Sequence, residues 1–142
     1  MMRPIKFRGI VSDPESPMFG EFVFGDLLRG YLYERKDKRG KIYIKTKAPL
    51  CFEIRPETVG QFVGFSDCEC GDIYEGDILE VNYIDDEEKS LHEVVWGGSD
   101  YPAFDLKPSI VFCESNALSH ITQSGDYFYK VVGNIHEGQK IL

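Results

Sequence analysis

The cysteines Cys68 and Cys70 are the residues whose type and spacing most suggest metal or redox chemistry, because only Glu69 separates them. Structural zinc sites usually take about four ligands, often as two pairs with roughly two to four residues between the members of each pair. The spacing of Cys68 and Cys70 is tighter than that, and the sequence contains no second pair. We therefore expect exposed or half-buried thiols, with no metal and no cofactor, and a thiol or metal function is the weakest of three hypotheses.

The other two cysteines, Cys51 and Cys113, lie in the apolar runs PLCFEI and IVFCES. Such surroundings usually hold buried and unreactive thiols. The sequence also has no glycine-rich phosphate loop, no Walker lysine, no nucleophile elbow and no HExxH motif. An enzyme is therefore not expected, and no catalytic residue is assigned.

Glu75 and Asp77, in the stretch DIYEGDILEV, are two residues apart and would share one face of a strand. Two carboxylates on one face could act as a general acid and a general base. The alternative is structural, because Gly76 permits a positive φ and Asp77 can accept a hydrogen bond from nearby amides. We favour the structural interpretation, in which Glu-Gly-Asp makes a tight entry into the strand that follows.

A basic segment, RKDKRGK at residues 35–41, is the best candidate for nucleic-acid binding. Lysine and arginine could follow the phosphates while a flanking tyrosine stacks on an unpaired base. The candidate residues are Tyr33, Arg35, Lys36, Lys38, Arg39, Lys41 and Tyr43. A solvated hairpin tip with Gly40 in the left-handed region uses the same residue types, and we favour that interpretation.

The acidic run DDEE is the opposite feature, and it comprises Asp85, Asp86, Glu87 and Glu88. The net charge of −8 is uneven: residues 1–71 hold 12 Lys and Arg against 10 Asp and Glu, whereas residues 72–142 hold 4 against 14. An acidic protein repels phosphates, which argues against general DNA binding. An acidic face suits a basic surface on a host or phage protein, although a surface charged for solubility is the simpler alternative.

Most of the chain alternates apolar and polar residues with a period of about two, so a mainly β fold is expected. The expected strands include residues 61–65, DILEVNY, HEVVWGG with PAFDL as its hairpin partner, and DYFYKVVGNI. Phe22 and Phe24 alternate ahead of an expected turn at Gly25 and Asp26. Residues 56–58 suit a single helical turn with proline at its start, and residues 115–121 suit a short helix capped by Ser115.

The 142 residues are enough for one domain or two small ones. We expect an N-terminal β section at residues 1–55 and a C-terminal section at residues 56–142, the latter a small SH3-like or related, partly open barrel. No apolar run matches a signal peptide or a membrane span, so a cytoplasmic protein without membrane contact is expected. Exposed edge strands in such barrels favour a homo-oligomer.

Four stretches, FEIRPETVGQFVGF, DIYEGDILEV, EVVW and YKVVGNIHEGQKIL, together resemble the YopX-like family of small phage and prophage proteins. The resemblance implies a mainly β fold with small barrel-like parts and leaves the activity unknown. It implies a structural role for Pro56, Glu57, Thr58, Gly60, Tyr74, Glu75, Gly76, Asp77 and Gly133. This chain departs from the family at SDCECGD, where relatives have a hairpin rich in Lys, Asp and Asn-Gly, so the family offers no precedent for a thiol function.

These observations rank two leading hypotheses. The first is a non-enzymatic phage or prophage accessory protein, in the bacterial cytoplasm, that binds a host or phage protein through its acidic face. The second is a nucleic-acid-binding module that works through the basic segment at residues 35–41.

Overall fold

The computed structural model describes residues 4–29, 41–47, 50–97, 102–110 and 116–137. The chain divides into two compact units, residues 1–62 and residues 63–142. Each unit has its own cluster of buried apolar side chains. The division falls inside one strand, which contributes residues to both units.

The first unit is built on an antiparallel sheet. Its strands are β1 (Phe7–Ile10), β2 (Phe22–Arg29), β3 (Ile42–Lys45), β4 (Cys51–Glu53) and the first residues of β5 (Gly60–Ser66). Their order across the sheet is β4-β3-β2-β1-β5. Val11, Val23, Ile44 and Ile54 form the buried core on one face of this sheet.

Strand β2 corrects one expectation, because the turn predicted at Gly25 and Asp26 does not exist. The strand continues through both residues, and Asp26 pairs with Lys45 of β3. A Cβ atom on Gly25 would lie 2.0 Å from the carbonyl oxygen of Lys45. The glycine therefore permits the close approach of β3 and does not mark a turn.

The helical turn predicted at residues 56–58 is confirmed as a 3-10 helix, Pro56–Thr58, between β4 and β5. Proline stands at its first position, where a missing amide costs no hydrogen bond. The strand predicted at residues 61–65 is also confirmed, as β5.

The second unit contains the rest of β5 and five further strands. These are β6 (Asp72–Tyr74), β7 (Asp77–Tyr83), β8 (Ser90–Trp96), β9 (Phe104–Lys107) and β10 (Tyr127–Asn134). The last four form an antiparallel sheet in the order β10-β7-β8-β9. Strand β6 pairs with β5. The hairpin predicted from HEVVWGG and PAFDL is thus confirmed as β8 and β9.

Alternation along β7 sets the two faces of this sheet. Leu79 and Val81 are buried, whereas Glu80 and Asn82, which alternate with them, are only half-buried. The buried face packs on helix α1 (Ala117–Ser124) through Leu118. Glu80 and Asn82 therefore lie on the opposite face, called the outer face below.

The short helix predicted at residues 115–121 exists, but the prediction of Ser115 as its cap is wrong. Helix α1 begins at Ala117, and the side chain of Asn116 caps it by accepting a hydrogen bond from the Ser119 amide at 2.8 Å. Gly125 ends the helix in the left-handed region, with φ of 76°. Ser115 itself lies outside the described residues.

The predicted fold class, mainly β with at most one or two short helices, is confirmed. Closure of the second unit into an SH3-like barrel stays a prediction. Within the described parts of the chain, no helix is both long enough and apolar enough to span a bilayer.

Candidate protein-binding surface

The four consecutive acids, residues 85–88, form the acidic turn between β7 and β8. Backbone hydrogen bonds fix its shape: the Asp86 amide donates to the Tyr83 carbonyl at 2.9 Å. The Asp86 carboxylate accepts from the Glu88 amide at 3.0 Å, and the Asn82 side chain donates to the Asp86 carbonyl at 3.4 Å. The turn is therefore ordered by its own contacts, although all four acidic side chains are exposed.

The lysine that follows the acidic turn pairs with a residue outside it. Lys89 follows it directly, yet the Lys89 ammonium lies 3.4 Å from the carboxylate of Glu80 on β7. Among the described residues, no cation lies within ion-pair distance of residues 85–88. The turn thus presents four exposed carboxylates on an ordered backbone.

An open groove of about 220 Å³ lies beside the acidic turn on the outer face of β7 and β10. Phe128, half of which is exposed, contributes an aromatic wall. The charged groups around it are Glu69, Glu80, Lys89 and Lys130. Asn82, which holds the acidic turn, lines the same groove, so the turn and the groove form one continuous surface.

The loop between β5 and β6, residues 67–71, closes one side of the groove and depends on Asp67. One carboxylate oxygen of Asp67 accepts from the amides of Glu69 and Gly71, at 2.9 and 2.8 Å. The other accepts from the Val131 amide of β10 at 3.0 Å. Partial burial acts to raise the pKa of Asp67, but these backbone hydrogen bonds and the charge of Lys130 together hold it below its ordinary value.

Cys68 and Tyr129 join the same loop to β10. The Cys68 amide donates to the Tyr129 carbonyl at 3.1 Å, and the Tyr129 amide donates to the Cys68 sulfur at 3.5 Å. Partial burial raises the pKa of the Tyr129 phenol, and the neighbouring Cys68 and Asp67 add to the effect. These contacts make Cys68 part of the structure of the loop.

The thiols at Cys68 and Cys70 are exposed, as predicted. The expectation of a buried thiol at Cys51 is wrong, because Cys51 lies at the start of the short strand β4 and is exposed. Cys113 lies outside the described residues. In the portion of the chain that the structure describes, no three His, Cys, Asp or Glu side chains are grouped closely enough to hold a metal ion.

Asp77, one of the two acids considered for acid–base chemistry, is only 2% exposed. Its carboxylate accepts from the Tyr74 amide at 2.8 Å, and Gly76 before it has φ of 93°. Gly76 also bonds to β8 and to the residue after β10, through Val94 and Ile135, at 2.9 Å each. The Glu-Gly-Asp turn therefore acts as the structural entry into β7.

Known proteins resemble this chain both in sequence and in fold. A family model described as YopX protein matches residues 21–142. The chain belongs to the YopX family. Among solved structures, protein EF1440 from Enterococcus faecalis is 23% identical over 99% of both chains, with a TM-score of 0.51. At that identity the likeness concerns the fold alone. No curated protein matches the chain.

Several of the YopX motif residues have clear structural contacts. The hydroxyl of Thr58, a residue 1% exposed, accepts from the Ile10 amide at 2.9 Å and donates to the Arg55 carbonyl at 2.7 Å. Gly133 lies at an irregularity of β10, where a Cβ atom would come within 2.9 Å of a carboxylate oxygen of Glu137. Pro56 begins the 3-10 helix. The motif thus coincides with turns and with close backbone approaches.

The candidate nucleic-acid-binding residues fall into two groups. Tyr33, Arg35, Lys36, Lys38 and Arg39 lie outside the described residues, as does Gly40. Of the other two, Lys41 forms an ion pair with Glu53 at 2.8 Å. Tyr43 is 6% exposed, so its ring offers no open face on which a base could stack.

Sequence reasoning also missed a contact made by His92, a residue 4% exposed. One ring nitrogen, Nδ1, lies 2.6 Å from the Pro108 carbonyl, and the other, Nε2, lies 2.6 Å from the Ser90 hydroxyl. Because a carbonyl oxygen only accepts, Nδ1 carries the proton in the neutral ring and Ser90 donates to Nε2. Both polar atoms are satisfied, so His92 ties β8 to the residues after β9.

Proposed function

We propose that this protein is a non-enzymatic phage or prophage accessory protein that binds a basic surface of a host or phage protein. The binding surface is the acidic turn at residues 85–88 together with the groove beside it. The chain belongs to the YopX family. The phage or prophage origin is part of this proposal, as is the cytoplasm of the bacterial host as the place of action.

The single observation that carries the proposal is that the acidic turn has an ordered backbone and four exposed carboxylates, with no cation of the described residues within ion-pair distance. Four exposed carboxylates repel one another, and a sequence selected only for solubility has no need to hold them in one place. Here the turn is ordered by hydrogen bonds from Asn82, Asp86 and Glu88. An ordered surface loses less conformational entropy on binding, and complementary charge speeds the encounter with a basic partner.

The test compares three forms of the full chain as bait in affinity purification from host lysate. The first is the wild type, and the second neutralises the acidic turn with D85N, D86N, E87Q and E88Q. The control removes the same number of charges from exposed acids elsewhere, with D13N, E15Q, E57Q and E137Q. Asparagine retains the oxygen that orders the turn at position 86, so the backbone is expected to keep its shape.

The proposal predicts partners that are retained by the wild type and by the control but are lost by the acidic-turn variant. Their retention should fall between about 50 and 200 mM salt, because exposed charges are screened over that range. Equal retention by all three forms would reject the acidic turn as the binding surface. Salt-sensitive binding of single-stranded DNA by the wild type would favour the nucleic-acid hypothesis instead.

A further inference from the structure

The size of the groove beside the acidic turn indicates what kind of group it can hold. Pockets for small-molecule ligands are usually about 300–1,000 Å³. The groove is open and measures about 220 Å³, which suits one side chain of a partner better than a whole metabolite. It also lies on the outer face of β7 and β10, where a partner chain could reach it.

The charges around the groove favour a cationic side chain. Two of its four charged groups are lysines: the Lys89 ammonium is paired with Glu80 at 3.4 Å, and Lys130 lies directly opposite Glu80 in the pairing of β10 with β7. Among the described residues, no cation is within ion-pair distance of Glu69. With the four carboxylates of the acidic turn, the surface around the groove therefore carries an excess of negative charge.

The aromatic wall selects among cations. Phe128 is 51% exposed, lies opposite Asn82 in the pairing of β10 with β7, and lines the same groove as Glu80. A guanidinium is planar, stacks on aromatic rings and forms paired hydrogen bonds with a carboxylate, whereas an ammonium is a strongly hydrated point charge. The Lys89–Glu80 distance of 3.4 Å exceeds the roughly 2.7–2.9 Å of a strong charged hydrogen bond, so an incoming guanidinium can replace that contact.

We propose that the groove is an arginine subsite, which takes one arginine side chain from a basic segment of the partner protein. The guanidinium stacks on Phe128 and pairs with Glu80, while the acidic turn attracts the neighbouring basic residues. This inference rests on the proposed function and adds the identity of the side chain that is recognised.

The experiment measures binding of two capped, fluorescent peptides, octa-arginine and octa-lysine, to the full-length protein by anisotropy at one fixed salt concentration. Four proteins are compared: wild type, F128L, E80Q and the acidic-turn variant. F24L serves as the matched control, because Phe24 is 50% exposed and lies in the first unit, outside the groove.

The arginine subsite predicts that wild-type protein binds octa-arginine more tightly than octa-lysine. F128L should weaken octa-arginine binding by about two- to fivefold, the expected size of an exposed cation–π contact, and leave octa-lysine binding unchanged. E80Q should likewise reduce the preference for arginine, whereas F24L should match the wild type. The acidic-turn variant should lose affinity for both peptides.

Two outcomes separate the inference from the proposed function. Equal affinity of the wild type for both peptides overturns the arginine subsite and leaves the acidic surface in place. The same follows if F128L and F24L lose the same affinity for octa-arginine and for octa-lysine. Binding of neither peptide, or no loss in the acidic-turn variant, overturns the proposed function and the subsite with it. E80Q keeps the test decisive if F128L folds poorly, because glutamine retains the shape of glutamate.

Discussion

The carboxylate of Asp67 accepts a hydrogen bond at 3.0 Å from the backbone amide of Val131, which lies 64 residues later in the chain. The same side chain closes its own loop through the amides of Glu69 and Gly71. An edge strand with open amides is a site for unwanted pairing. Asp67 therefore orders the loop that borders the groove and also covers part of the edge of β10.

The first prediction concerns the stability that Asp67 provides. Replacing Asp67 with alanine removes the acceptor for three amides and should lower the free energy of unfolding by about 1–3 kcal/mol. Asn at this position keeps one oxygen but turns an NH₂ group toward one of the donors, so an intermediate loss is expected. Urea unfolding followed by Trp96 fluorescence measures both.

The control for Asp67 is D72N, at the other end of the same hairpin. Asp72 is exposed, and its carboxylate accepts from the Ser66 hydroxyl at 3.4 Å, a contact that asparagine can also make. Its stability should stay close to that of the wild type. A D67A protein as stable as D72N would contradict the structural role given to Asp67.

The second prediction is the pH dependence of the Asp67 contribution. Because the pKa of Asp67 is lower in the folded protein than its ordinary value of 3.8, its contribution is fully present above that value. It is lost as the pH falls through the folded pKa. The difference in unfolding free energy between wild type and D67N should therefore be constant from about pH 7 to pH 5 and shrink below about pH 3.8. A difference that grows with acidity would refute the assignment.

The third prediction tests the YopX motif residue Thr58. T58V preserves the shape of the side chain but leaves the buried Ile10 amide without its acceptor. The loss of unfolding free energy should be about 1–3 kcal/mol, because an unmade buried hydrogen bond costs its full desolvation. T58S keeps the hydroxyl and should lose less than half as much. A larger loss in T58S than in T58V would assign the role of Thr58 to its methyl group.

Local patterns in the sequence correctly predicted the elements that depend only on residues close together in the chain. The alternation around Leu79 and Val81 placed β7, and the proline at position 56 placed the 3-10 helix. The prediction of a turn at Gly25 was wrong because a glycine before an aspartate is typical of turns, whereas here the glycine permits a close contact between strands. Only the position of the Lys45 carbonyl distinguishes the two, and no local pattern contains it.

Only the local part of the candidate surface was predictable from the sequence. The acidic run at residues 85–88 is contiguous, so its exposure follows from its charge. The groove is assembled from four separate stretches, which contribute Glu69, Glu80, Lys89 and Phe128 among others. Their meeting depends on strand register and on the long-range contact between Asp67 and Val131. Neither can be read from composition or spacing.

The fourth prediction compares two groups that hold the start of α1. Asp105, a residue 1% exposed, accepts from the amides of Ala117 and Leu118 at 2.8 and 3.4 Å, while Asn116 accepts from Ser119 at 2.8 Å. N116A should lower the free energy of unfolding by about 1 kcal/mol, the usual value of a helix cap. D105A should cost more, about 2–3 kcal/mol, because it leaves buried amides unbonded. Urea unfolding of both variants gives the comparison, and a reversed order would show that Asn116 is the main cap.

The last prediction follows from the close contact at Gly25. G25A places a Cβ atom 2.0 Å from the Lys45 carbonyl oxygen. Because a backbone carbonyl cannot rotate away as a side chain can, β3 must shift away from β2. The expected loss is about 2 kcal/mol or more, as for other overpacked positions.

Gly20 provides the contrast, since its φ is 79° but a Cβ atom there would meet nothing within 4 Å. G20A should therefore cost about 1 kcal/mol from backbone strain alone, and G20N still less, because asparagine adopts the left-handed region more readily. Urea unfolding measures all three, together with amide hydrogen exchange at Ile44, which should speed up in G25A only. If G25A were no less stable than G20A, the structural role given to the close approach of β3 at Gly25 would be contradicted.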